Sequence, residues 1–442
     1  MLKDIKEFSD KFLKHTINEK IQIISHFDTD GITSAAILTK TLERLNKHFS
    51  TKIVKALDQE EIDLLPDDKI ILILDLGSGS IDQLGATNKP IFILDHHELS
   101  KEAIPSNITI FNPHLIAADN FCTAELAYLF SKSISDENID LAYLSIIGMI
   151  GDLMERTLNP IRNQIIKDSK VIVKKGLMIY PSTRPLDKAL EFSSRPFIPG
   201  VTGDIRGTYE LLNEAGIEKF GKKYKALIDL NEREMRNLTT SVTLRLSSKE
   251  AEGHIGNLYL IKLFSKIEDA REISAMINAC SRMGESQVAL LFCLGNAKAR
   301  KRSERVHIKY RQQIISGLKH IEKEKNLEGR EYVIINAKDN IKDTIIGTLA
   351  SILSFSSKYK EGTVIVAMAY NKNKIKVSTR MAGRNHDSPR NLRELMNSIT
   401  HSLGHGDSGG HKQAAGCTIN LESEKEFIDL VKKKLEFELV KV

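Results

Sequence analysis

Asp95, His96 and His97 stand in a row directly after the apolar run Ile91-Phe92-Ile93-Leu94. Each of these three side chains can ligate a metal, exchange a proton or hold a phosphate. Acids and imidazoles also end other apolar runs in the N-terminal third. His26, Asp28 and Asp30 follow the run Ile21 to Ser25, Asp75 follows Ile70 to Leu74, and Asp152 follows the apolar segment Leu141 to Ile150. Taken jointly, His26, Asp28, Asp30, Asp75, His96 and Asp152 are four carboxylates and two imidazoles. Carboxylates gathered in one place raise one another's pKa values unless cations neutralise them. An oxygen-rich set with one or two imidazoles suits manganese or magnesium better than zinc or copper. Two such ions bridged by a carboxylate bind a phosphate, generate hydroxide and steady a leaving oxygen.

These groups meet only if particular elements carry them. A four-residue apolar run such as 91–94 fits a strand buried on both faces of a parallel sheet. In open α/β sheets ligands sit at the carboxyl ends of strands, where Asp95, His96 and His97 would lie. Further strands are expected over 20–25 and 69–74, and helices from Ile32 to about Leu45, from Thr123 onward, and from Leu141 to Ile150. Alternate side chains of an extended segment point the same way, which would align His26, Asp28 and Asp30. Gly31 would let the backbone turn tightly into the helix. An acid at a helix C-terminus faces the negative end of the dipole, so Asp152 calls for a cation beside it. Phe111-Asn112-Pro113-His114 reads as a turn and His114 as a loop residue.

The 442 residues suffice for two or three domains, and 41% hydrophobic with 28% charged residues is ordinary globular composition. A net charge of +6 is compatible with a polyanionic partner without demonstrating one. Cys122, Cys280, Cys293 and Cys417 form no Cys-x-x-Cys pair, which reads as reduced thiols of a cytoplasmic protein and speaks against structural zinc. The N-terminus has the charges of an amphipathic helix and lacks a signal-peptide apolar region. No apolar run approaches the roughly 18–20 residues that span a bilayer.

Pro181, Pro185, Pro196 and Pro199, with Gly200 and Gly203, mark a boundary after the first domain. Beyond it, Thr208 to about Ser248 reads as charged helices, and 257–264 and 287–293 as strands. Spacing alone assigns this middle region no chemistry. The run Lys298 to Arg311, with Arg300, Lys301 and Arg302 at its head, opens a long helix. Such a run is usually a solvated face; the functional alternative is a basic edge that tracks a phosphate backbone. The last domain alternates strands (331–336, 363–370, 374–380) with helices (344–354, 391–403). Ser378 and Arg380, at a strand end, are candidate phosphate contacts. Gly409 and Gly410 free backbone N–H groups to approach an anion beside His411. The resulting division is 1–185, 186–325 and 326–442.

His26-x-Asp28-x-Asp30-Gly31, Asp75, Asp95-His96-His97 and Gly151-Asp152 resemble the four motifs of the DHH phosphoesterases. Gly409-Gly410-His411-Lys412-Gln413-Ala414-Ala415-Gly416 resembles the signature of the accompanying DHHA1 domain. The combination looks like the RecJ-type branch, and the compact build is similar to the archaeal RecJ-like nucleases, one of which binds the GINS replication complex. Asn278 to Gly284 is the middle segment most similar to the archaeal members.

The resemblance implies that His26 and Asp28 hold one metal, that Asp30, His96 and Asp152 hold the other, and that Asp75 bridges them. It further implies that His97 faces the scissile phosphate, that Asp95 orients the histidines, and that the DHHA1 domain holds substrate against the metals.

The expected fold is α/β: a doubly wound parallel-sheet DHH domain, a mixed middle region and a smaller α/β DHHA1 domain. The expected function is a manganese- or magnesium-dependent exonuclease with two ions per site, acting on single-stranded DNA or RNA from an end. One rival is a phosphodiesterase for short oligonucleotides or cyclic dinucleotides. Another is a binding subunit of a replication assembly with vestigial chemistry, a reading that the intact ligand set opposes. An inorganic pyrophosphatase shares the first domain but lacks the glycine motif, and ranks last.

Overall fold

The computed structural model describes residues 1–440 except 88, 100–102, 117–118, 194–195, 197, 247–252, 357 and 384–389, with the side chains of 437–440 also left out. Among them, α1 (Leu2–His15) precedes β1 (Ile21–His26), and α2 (Thr29–Arg44) follows it. Four further strands, β2 (Phe49–Val54), β3 (Ile70–Leu74), β4 (Ile91–Leu94) and β5 (Ile108–Phe111), complete a five-stranded sheet. Its order is β2-β1-β3-β4-β5 and every pair is parallel.

β3 and β4 are buried at every residue, as a sheet covered on both faces requires. Alternate residues enter two cores. Ile21, Ile23, Leu72, Leu74, Phe92 and Leu94 face α1, α2 and the helices Thr123–Ile134 and Ala142–Gly151. Ile24, Ile71, Ile73, Ile91 and Ile93 face the short helices Gln59–Asp63 and Ile81–Gly85. Phe12 locks α1 onto the sheet, its ring 5.2 Å from Phe92 and 5.4 Å from Phe130, both edge-on. Such pairs add about 1 kcal/mol each beyond the area they bury.

The chain forms two compact units, 1–307 and 308–442. Within the first, Leu177, Leu211, Leu212, Leu227, Leu238 and Val242 belong to a core of their own. A three-stranded antiparallel sheet joins Ile172–Leu177, Ile255–Leu263 and Lys266–Asp269. Helices Ala270–Arg282 and Ser286–Cys293 then return to the core of the parallel sheet through Ile273, Ile277, Ala289 and Phe292.

Two expectations for this region are corrected. Residues 287–293 are helical, because Ala289, Leu290, Phe292 and Cys293 are buried at helical spacing, a pattern that a short apolar run shares with a buried strand. Among the described residues the charged stretch from Thr208 is not continuous helix: a hairpin of Lys219–Phe220 and Lys223–Tyr224 and a 3-10 turn at Leu227–Asp229 separate the helices Ile205–Glu214 and Glu232–Thr243.

In the second unit six strands run in the order Leu327–Glu328, Tyr332–Asn336, Val364–Asn371, Lys374–Met381, Ala414–Asn420, Asp407–His411. The helices Asp343–Ser354, Leu392–Leu403 and Glu424–Val440 accompany them. The four cysteines are free and buried. Among the described residues no helix is long and apolar enough to cross a membrane.

Candidate metal centre

β1 lies between β2 and β3, so the chain leaves the sheet in opposite directions on either side of the β1–β3 boundary. Crevices at the carboxyl ends of strands beside such a reversal bind ligands in open α/β sheets. His26 ends β1, Asp75 follows β3, and Asp95 and His96 follow β4.

His26, Asp28 and Asp30 converge, though not through the alternation of an extended strand. Asp28 is the N-cap of α2 and accepts from the Gly31 N–H at 3.0 Å, while Asp30 already belongs to the helix. Gly31 serves close packing and not a turn: a Cβ there would lie 2.3 Å from the His26 carbonyl oxygen.

Among the described residues, three overlapping groups have ligand atoms within 4.8 Å of one another: His26, Asp28 and Asp75; Asp30, His96 and Asp152; and Asp75, His96 and His97. His26 Nδ1 lies 3.1 Å from Asp75 Oδ2 and 3.2 Å from Asp28 Oδ2. His96 Nε2 lies 3.2 Å from Asp152 Oδ2 and 3.5 Å from Asp75 Oδ1. Asp75, buried and at φ +59°, is common to two groups. Asp95 accepts from the Ser78 N–H at 2.9 Å, the His96 N–H at 2.8 Å and His97 Nδ1 at 2.8 Å.

The electrostatics fit bound cations. Burial, reinforced by the charges of Asp28 and Asp30, holds Asp75 well above the usual carboxylate range. Burial and the neighbouring Asp30, Asp28 and Asp75 push Asp152 up to about 9. Asp30 is also raised, chiefly by burial. Burial opposes protonation of His26, yet Asp28 and Asp75 outweigh it and hold the imidazole well above its ordinary value. Carboxylates in this state gain a charge partner from a divalent ion. Asp95 differs: burial disfavours its charge, but bonds from His97 and Ser78 pull it down to about 2. The bond to Asp95 in turn raises His97.

Several supporting residues carried no signal in sequence spacing. The N–H groups of Thr123 and Ala124, at the start of a helix, donate to Asp30 at 2.7 and 2.8 Å. The Thr123 hydroxyl donates to Asp75 at 3.1 Å. This is a helix N-terminus turned on a carboxylate. Asn112, expected only as part of a turn, donates to Ser78 Oγ at 3.0 Å and to the His97 carbonyl at 2.9 Å. Behind them Arg162 and Glu125 form a buried ion pair at 2.6 Å. Arg282, in the segment singled out at 278–284, lies 5.4 Å over the Phe27 ring, and that ring is 5.0 Å from His26. Its buried Nε has no hydrogen-bond partner among the described residues.

Two arginines of the basic run are engaged within the fold. Arg300 pairs with Glu268 and with Glu304, and stacks 4.9 Å over Phe264. Arg302 pairs with Glu285 at 2.6 Å. Of the three basic residues heading the run, Lys301 alone has no acidic partner among the described residues. Two of the charges assigned to a phosphate track are thus met by carboxylates of the chain, which sequence order could not foretell.

In the second unit Gly409, Gly416 and Ser378 lie side by side on three adjacent strands. Gly409, Gly410 and His411 form the edge strand, whose outward backbone groups are not used by the sheet. Gly410 has φ +126°, and a Cβ on Gly416 would lie 2.6 Å from the Val377 carbonyl oxygen. Arg380 Nε donates to Ser351 at 2.9 Å. His411 is exposed.

A doubly wound sheet carrying acids and imidazoles at its switch point, followed by a second α/β unit, defines the DHH class of phosphoesterases. The DHH family N-terminal domain matches residues 20–149, the DHHA1 domain 330–436 and the DHH-CID domain 180–256. The chain belongs to the DHH family, and its fold is RecJ-like.

An uncharacterized protein of Methanocaldococcus jannaschii is 26% identical, with 97% of each chain covered. RecJ of Thermus thermophilus in complex with Mn2+ superposes with a TM-score of 0.60 at 17% identity, over 97% of this chain and 54% of that one. The present chain therefore spans about half the length of that RecJ. CDC45 of Entamoeba histolytica gives 0.65 at 12% identity, over 97% and 98% of the two chains. At these identities the likeness is one of fold.

Proposed function

We propose that this chain is a metal-dependent phosphodiesterase that hydrolyses single-stranded DNA or RNA from an end. The observation that carries the reading is the pair of ligand groups, His26-Asp28-Asp75 and Asp30-His96-Asp152, joined through the contact of Asp75 with His96. His26 and Asp28 would hold one ion, Asp30, His96 and Asp152 a second, and Asp75 would reach both. When bound, manganese or magnesium supplies a Lewis acid for the phosphoryl oxygens and lowers the pKa of the attacking water.

The chain's own residues do the rest. Asp95 fixes the His97 ring through Nδ1, and the same bond favours the protonated imidazole, which would place positive charge where negative charge develops. Ser78 and Asn112 hold the Asp95–His97 segment, and the helix start at Thr123 holds Asp30 and Asp75.

The second reading, a phosphodiesterase for short oligonucleotides or cyclic dinucleotides, is favoured by the engagement of Arg300 and Arg302 in ion pairs. Digestion of 5′- and 3′-labelled DNA and RNA strands with manganese or magnesium separates the two. Progressive shortening of long strands from one end is expected; cleavage confined to dinucleotides or very short pieces would replace the first reading by the second. Association with GINS-type replication proteins follows from the resemblance alone, and co-purification of the two tests it.

The second unit handles substrate in this reading, with Ser378, Arg380, Gly409, Gly410 and His411 on the strands that would contact it. His411→Ala should raise KM for a single strand by roughly tenfold, the value of one charge-assisted hydrogen bond. Bound manganese, measured by elemental analysis, should not change. Loss of metal together with activity would make His411 a ligand instead.

A further inference from the structure

Within residues 180–246 the hairpin of Lys219–Phe220 and Lys223–Tyr224 turns on Gly221-Lys222. Gly221 has φ +64° while Lys222 does not share the positive φ, as a two-residue turn of type II′ requires. Phe220, at the tip, is 81% exposed, and no aromatic ring pairs with it among the described residues. Leaving such a ring in water forgoes the burial that normally fixes an aromatic side chain. Lys222 and Lys223 are exposed beside it with no acidic partner among the described residues. Lys225 is held by Glu234 at 2.7 Å, and Lys219 lies over Tyr209 and Tyr224 at 4.7 and 5.3 Å. Phe220, Lys222 and Lys223 line an open concavity of about 710 Å³ in which Asp229 is the one acid.

The base of the hairpin is tied toward the metal-ligand cluster. Pro185 bridges to Ala226, the Ser182 N–H donates to Asp269 at 2.9 Å, and Arg184 pairs with Glu272. Asp269 caps the helix Ala270–Arg282, whose far end places Arg282 over Phe27, the neighbour of His26. A 13-residue helix is about 20 Å long, a span that a strand of a few nucleotides covers.

We propose that this hairpin is a second contact for a single nucleic-acid strand, with Phe220 stacking on an unpaired base and Lys222 and Lys223 meeting its flanking phosphates. An exposed ring beside exposed lysines is the arrangement with which single strands are held without sequence preference. A duplex, whose bases are already stacked, gives Phe220 nothing to cover. The inference rests on the nucleic-acid reading above and adds a site to it.

The test is binding of a fluorescent oligothymidylate to the full-length chain, with calcium replacing the catalytic ions so that the strand stays intact. Phe220→Ala should weaken binding roughly tenfold, the loss of one base stack, and Phe220→Trp should retain it. Lys222→Gln with Lys223→Gln should flatten the dependence of log affinity on log salt by about 1.4, since each phosphate contact on a single strand contributes about 0.7. Thermal unfolding of each variant checks that the fold is kept, and the exposed positions make its loss unexpected. Strand binding by the wild type that all three variants leave unchanged overturns the hairpin site alone and turns the surface over to an acidic protein partner. A wild type that binds no strand overturns the nuclease reading as well.

Discussion

Asp75→Asn should lower hydrolysis of any phosphodiester substrate by about a thousandfold while leaving the chain folded. Asp75 belongs to two of the three ligand groups, and its oxygens lie 3.1 Å from His26 and 3.5 Å from His96. An amide keeps the shape but removes the charge that would be shared by two cations. Loss of a metal-organising group costs several kcal/mol of transition-state stabilisation, and about 4 kcal/mol is a thousandfold. Without metal, the substitution removes a buried carboxylate that Asp28 and Asp30 repel, so the metal-free variant should melt no lower than the wild type. Activity above about a tenth of wild type would refute the bridging role; a large fall in melting temperature would mean that the side chain is needed for folding.

The second large effect is on stability. Metal-free protein should become less stable as pH rises from about 5 to 9, and manganese should restore more at the upper end. The sign follows from the direction of the shifts. Asp30, Asp75 and Asp152 have folded pKa values above their unfolded ones, so the folded chain binds more protons and loses stability as pH climbs through this range. His26 is raised as well, and its contribution is also lost with rising pH. Asp28 and Asp95 are lowered, but their stabilisation is complete above the ordinary carboxylate range and is lost only in acid. Divalent ions compete with the retained protons, so their binding strengthens as pH rises. Melting temperatures of chelated and manganese-loaded protein across this range should diverge by several degrees; parallel curves would show that these acids do not hold the ion.

Much of the site was legible because its residues end local patterns. Apolar runs of four to six residues fixed β1, β3 and β4, and the ligating residues follow directly where each run stops. The apolar segment before Asp152 likewise identified a helix with an acid at its C-terminus. Residue type then pointed to oxygen-preferring divalent ions. What neighbouring residues could not decide was which side chains meet. Asp30 faces the start of a helix 93 residues later, through Thr123 and Ala124, and His26 meets Asp75 across 49 residues. Such contacts follow from strand order and register, which buried hydrophobic surfaces set jointly.

The same limit explains what neighbouring residues left open. The run 287–293 is equally apolar as strand or helix, and only its packing against the core beneath Ala289 and Phe292 selects the helix. Arg300 and Arg302 look free in sequence, yet Glu268 and Glu285 reach them in the fold. The exposure of Phe220 is a property of the hairpin, which the sequence reading did not foresee. Sequence alone therefore determined β1, β3 and β4 and the kinds of side chain at their ends, because periodicity and residue chemistry act over a few positions. Tertiary structure decided which carboxylates share a site and which basic charges remain free, because burial and charge pairing depend on neighbours brought from tens of residues away.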